Sequence, residues 1–172
     1  MKSKILCFIA ISLLSFNVFS QEKEEDEGKN LLIGTLGYTY ISSASSEDSE
    51  EADGIFITTL GIDYFRKIHS KWELGIMADL ELGEYVVINK DLNRENALLI
   101  TGMASYKLTD HVNLLAGAGL EIEKHENLAI IRLGTEYAIN LKKEWSIPLG
   151  FFYDFKEGIN TWSLSIGIGK EF

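Results

Sequence analysis

Arg132 makes the strongest chemical demand in this sequence. Alternation along residues 128–139 sets it on one face with Gly134 and Glu136. A guanidinium enclosed between strands has to be balanced by carboxylates. The same period-two reading turns Glu73, Asp79, Glu121 and Asp154 toward that interior. These residue types point to a charge network that plugs the interior, with a functional constriction around Arg132 as the alternative. The inward acids outnumber Arg132, so any leak is expected to prefer cations.

Catalytic groups are sparse. Of the three histidines, His69 and His111 fall in short connections and only His125, in the connection 123–127, is placed to act as a base. Ser42, Ser43, Ser45, Ser46 and Ser49 all lie in a different connection, so no hydroxyl stands at a matching height for His125 to activate. We assign no catalytic residue, no metal site and no cofactor. The connection 42–54 carries five carboxylates within residues 47–53. Ala52 and Asp53 stand where an EF-hand loop needs its fifth ligand and its glycine, so the run reads as a solvated acidic loop. Bridging by a divalent cation to neighbouring phosphate groups is the alternative use of those carboxylates.

The elements that would position these side chains are strands. Alternation predicts eight, at 32–41, 55–65, 72–82, 98–108, 112–122, 128–139, 145–155 and 162–172. Each is close to the length of a tilted membrane strand, about 9–11 residues. The third is the clearest: Trp72, Leu74, Ile76, Ala78, Leu80 and Leu82 share one face, and Glu73, Gly75, Met77, Asp79 and Glu81 the other. Slipping it by one residue would offer three carboxylates to hydrocarbon, which fixes its register. Longer connections alternate with shorter ones, the pattern of a membrane barrel with long outer loops and tight inner turns.

Aromatic residues sort independently. Tyr64, Trp72, Tyr106, Tyr137, Trp145 and Phe172 fall on the apolar face at the short-turn ends, and Tyr40, Phe56, Tyr153, Phe155 and Trp162 at the long-loop ends. Two such belts match the two interfaces of a bilayer, where amphipathic rings are most stable. A secreted sandwich or lipocalin-like barrel with an apolar core is the alternative all-β reading, and it gives no reason for that sorting.

Lys2 and Lys4, the apolar run 5–19 and the switch to Gln21-Glu-Lys-Glu-Glu-Asp-Glu27 read as a signal peptide cut after Ser20. The division expected is therefore signal peptide 1–20, acidic periplasmic leader 21–30 and barrel domain 31–172. Cys7, the only cysteine, leaves with the signal, so neither disulfides nor thiol chemistry remain. Loss of Lys2 and Lys4 takes the formal net charge from −10 to −12, which argues against nucleic acid as a partner.

The strand pattern, the loop alternation and the ending Gly167-Ile-Gly-Lys-Glu-Phe172 together resemble the small eight-stranded outer-membrane barrels of the OmpX and OmpA transmembrane-domain type, often grouped with porin-family proteins. The resemblance covers about residues 31–172 and implies an all-β, antiparallel up-and-down transmembrane barrel. Its implied partners are outer-membrane lipids, lipopolysaccharide and the barrel-assembly machinery, which reads the signal ending in Phe172, and its implied state is a monomer. It implies a non-enzymatic role in envelope integrity or surface interaction. A narrow, weakly cation-preferring channel is the second reading, and a lipid A-modifying enzyme around His125 the third.

Overall fold

A computed structural model describes residues 30–42, 44–45, 54–87, 92–124, 126–157 and 159–172. Their secondary structure is all strand: β1 (Asn30–Ile41), β2 (Ala44–Ser45), β3 (Ile55–His69), β4 (Trp72–Val87), β5 (Leu92–Lys107), β6 (Val112–Ile122), β7 (Leu128–Asn140), β8 (Trp145–Lys156) and β9 (Thr161–Glu171). Every pairing is antiparallel: β1 pairs with β3, consecutive strands pair from β3 to β9, β9 returns to β1, and the short β2 adds to β4. With β4 also paired to β5, the eight long strands form a closed barrel without a free edge.

Period-two composition decides which way each strand faces. Leu36, Ile62, Ile76, Leu120, Ile131 and Ile166 stand out at 51–66 % exposure, while their neighbours along the chain turn inward. A soluble protein does not leave so continuous an apolar band in water. No helix among the described residues is long and apolar enough to cross a membrane, and the strands carry the apolar surface instead. Pro148 sits inside β8, where the β8–β9 register passes from Ser146↔Gly169 to Leu149↔Ile166 with no partners between. A residue without N–H is tolerated there because the ladder resumes at once on both sides.

Three boundaries differ from the sequence reading. Asn30 belongs to β1, not to the acidic leader: its backbone exchanges hydrogen bonds with Phe172, at 3.0 and 2.9 Å. β3 runs on to His69 through an irregular register step between Lys67 and His69. The largest difference is the 83–97 connection, which is a hairpin: β4 continues to Val87 and β5 begins at Leu92. A bulge between Glu81 and Glu84 shifts the register there, setting Leu82 and Gly83 of β4 against the single β5 residue Asn96, at φ 47°. Asparagine tolerates this left-handed conformation, and its side-chain oxygen accepts the Gly83 N–H at 3.2 Å.

The stretch 1–20 read as a signal peptide, residues 21–29 of the expected leader, the acidic run 47–53 and His125 lie outside the described residues.

Candidate functional site

The interior is the candidate site, and it is filled in layers along the barrel axis. At the long-loop end Ile41, Ala44, Ile57, Tyr85, Val87, Leu128 and Ile159 form one buried apolar cluster. Ala44 reaches it because β2 pairs with the extended tip of β4, Ala44 opposite Val87. This end of the barrel is therefore capped by side chains of its own loops.

Beneath the cap lies an ionic layer. Arg94 pairs through Nη2 with Glu121 and through Nη1 with Glu123 Oε2 at 3.3 Å, and Nη1 also donates to the Glu126 carbonyl at 2.6 Å. Lys156 Nζ pairs with Glu121 Oε2 at 2.7 Å and with Glu81 Oε1 at 3.4 Å. Arg94 points inward because of Asn96. Counting back from buried Ala97 by twos would send Arg94 outward, and the bulge reverses that parity. Lys156, reading as a loop residue in the sequence, is the last residue of β8 and is likewise buried.

Ala97, Leu99 and Ile130 separate this layer from a second one around Arg132. Arg132 donates from Nε and Nη2 to the two Asp154 oxygens at 2.7 and 2.8 Å, a bidentate fork between paired strands, Arg132 standing opposite Asp154. Its Nη1 donates to Asp79 Oδ2 across the barrel. Gly61 makes room for this: a Cβ there would sit 2.6 Å from Asp79 Oδ1. The guanidinium carbon lies 5.5 Å from the centre of the Phe152 ring, and that ring occupies space left open by Gly134 and Gly150. Beside it remains a cavity of about 20 Å³ lined by Thr35, Thr39, Thr59, Asp79 and Arg132 among others, which is room for about one water.

Below Arg132, Ile33, Phe65, Met77, Met103, Leu115 and Phe152 close the lumen again. Near the turn end Glu136 accepts from Asn113 Nδ2 at 3.3 Å, and half-buried Glu73 lies farther down β4.

The structure thus divides the acids singled out from sequence. Asp79 and Asp154 hold Arg132, Glu121 serves Arg94 and Lys156, and Glu73 and Glu136 make no ion pair with Arg132 among the described residues. Arg94 and Lys156 were hidden by the bulge and by a strand end, and Asp63, inward on β3 and 2 % exposed, was passed over. Its inward position was readable, since it alternates with Ile62 and Tyr64.

On the outer surface the aromatics fall at two heights. Tyr40, Phe56 and Trp162 touch at the long-loop end, with centroids 4.9–5.7 Å apart, and Tyr153 contacts Phe155 at 4.8 Å. At the turn end Trp72 packs on Tyr106 at 4.9 Å, and Tyr64, Tyr137, Trp145 and Phe172 are exposed. Of the described histidines, His111 stacks on Tyr137 and contacts the Ala138 carbonyl at 3.1 Å, and His69 meets Ser70 at 3.2 Å on an exposed turn.

A closed eight-stranded barrel, apolar outside and polar within, is the architecture of small outer-membrane β-barrels. The chain has that fold. It aligns with the Yersinia pestis attachment invasion locus protein Ail, in a structure complexed with the heparin analogue sucrose octasulfate, at 11 % identity over 85 % of this chain and 100 % of that one, with a TM-score of 0.58. Neisserial surface protein A aligns at 11 % identity over 83 % and 97 %, with a TM-score of 0.57. A transmembrane β-barrel designed de novo aligns at 14 % identity over 87 % and 100 %, with a TM-score of 0.50. Likeness to a designed barrel shows that the shared property is architecture. No protein-family model and no curated protein sequence matches the chain.

Proposed function

We propose that this protein is an exported outer-membrane barrel whose interior is closed to solutes, acting in the envelope as a stable surface element that presents its outer loops. The observation that carries the reading is the layered filling of the lumen: apolar cap, Arg94–Lys156 layer, Arg132 layer and apolar floor, with space for about one water beside Arg132. A solute path would have to break two buried ion clusters at once. In this reading residues 1–20 direct export and leave after Ser20, and the strand ending in Phe172 engages the assembly machinery. The two aromatic belts sit at the two membrane interfaces, and lipid with lipopolysaccharide is the surrounding partner of a single barrel.

The test is swelling of proteoliposomes in small sugars. The closed barrel gives the rate of empty liposomes, whereas swelling that depends on folded protein returns the channel reading. Lipid A from cells producing the protein, compared with cells producing His125→Ala, addresses the enzymatic reading: identical profiles are expected.

A further inference from the structure

We infer that the basic residues at the turn end form a collar that binds the phosphate headgroups of anionic lipids in the adjoining leaflet. The inference rests on the outer-membrane reading above. Arg66 and Lys67 lie in the last stretch of β3, which ends at His69, with Lys67 opposite Glu73; Lys71 follows in the turn, and Lys142 and Lys143 occupy the β7–β8 turn. All five are exposed, and none has an ion pair among the described residues. The two further lysines at this end are already engaged, Lys107 with Asp110 at 3.2 Å and Lys170 with Glu144 at 2.5 Å.

Charge is sorted along the barrel axis. At the long-loop end the exposed charged residues described are Glu84, Glu95, Glu126 and Glu157 against Lys124, and the sequence adds six acids and one lysine in 47–53 and 88–91. At the turn end the seven basic residues stand against exposed Asp110, Glu144 and Glu171, and residues 21–29 add five acids and two lysines, which leaves this end near neutral where the other is strongly acidic. Solubility alone is served by either sign at either end, so it does not account for the separation. Height gives the collar its ligand. The register sets Lys170 beside Trp145, its Nζ 5.8 Å from the ring centre, and Arg66 is two residues beyond Tyr64. Aromatic belts sit at the headgroup level, and lysine and arginine stems reach past them to the charged layer. Phosphate is the anion present there in quantity, and guanidinium and ammonium groups bind it directly.

The experiment uses the refolded full chain in phosphatidylcholine vesicles with trace spin-labelled phosphatidylglycerol or phosphatidylcholine, reading the motionally restricted fraction of each label. Phosphatidylglycerol is expected to be favoured about fivefold, the factor that corresponds to one net basic contact. Salt at about 0.5 M should remove the preference. So should R66Q/K67Q/K71Q/K142Q/K143Q, while E84Q/E95Q/E126Q/E157Q at the other end keeps it. K142Q/K143Q, confined to one exposed turn, gives a partial loss even if the fivefold variant folds poorly. Equal restriction of both lipids by the folded wild type overturns the inference, as does a preference that survives the collar substitutions. Collar-dependent sedimentation with peptidoglycan, without lipid preference, would assign the surface to the cell-wall polymer instead. Failure is separable from that of the proposed function: a barrel that conducts yet prefers phosphatidylglycerol refutes closure alone, and a closed barrel without preference refutes the collar alone.

Discussion

Replacing Arg132 by methionine removes the centre of the deeper ionic layer and leaves its carboxylates behind. Arg132 is 3 % exposed and gives three charge-assisted hydrogen bonds, two to Asp154 and one to Asp79. Breaking a buried ionic group by deleting one partner costs about 3–5 kcal/mol, because the remaining charge is stranded. With a urea dependence of about 2 kcal/mol/M, the unfolding midpoint should fall by roughly 2 M. The assay is urea unfolding of the refolded barrel in vesicles, followed by tryptophan fluorescence and by migration of unboiled samples. If stranded charge is the cause, R132M/D79N/D154N should recover more than half of the loss, since amides need no counter-ion. Among single variants D154N should cost more than D79N, because Asp154 accepts the bidentate pair. An R132M midpoint equal to that of the wild type, or a triple variant no better than R132M, would refute the reasoning.

Other consequences are local. Gly119→Ala places a methyl against the Ile100 carbonyl and 2.6 Å from Thr101 Cα, whereas nothing lies within 4 Å of a Cβ at Gly34. Gly119→Ala should lower the yield of the heat-modifiable folded band and Gly34→Ala should leave it unchanged. Asn96→Val puts a β-branched residue at φ 47° and removes the acceptor of the Gly83 N–H, at a cost of about 1–3 kcal/mol. Trypsin should then cut after Arg94 in the folded barrel, while the wild type and Asn96→Gly stay protected. Trp72, Trp145 and Trp162 should all be quenched more by lipids brominated near the headgroup than near the chain end; stronger quenching by the deeper bromines would refute their interfacial placement.

The fold was legible because the bilayer enforces a strict rule, apolar outward at every second residue, and β4 and β6 obey it without exception from Trp72 to Leu82 and from Leu114 to Ile122. The candidate site was legible where the same rule held: Asp79, Glu121, Arg132 and Asp154 are inward and buried. It failed where strands rise past the apolar band, since no hydrocarbon there penalises a change of parity. Asn96 uses that freedom to turn Arg94 inward, and Tyr85 and Val87, on a stretch that reads as loop, become part of the cap. Lys156 was lost for a simpler reason: a lysine at a strand end reads as a solvated boundary residue. Its carboxylate partners Glu81 and Glu121, 2.7–3.4 Å away, belong to strands distant in sequence, and only closure of the barrel brings them together.

The most direct measurement of closure is single-channel recording of the folded protein, its folded state established by a migration shift on boiling, in a planar bilayer. The layered lumen gives a flat trace at all applied voltages, with no step attributable to the protein. Reproducible unitary steps that favour cations would contradict it and make the Arg94 and Arg132 layers the walls of a pore.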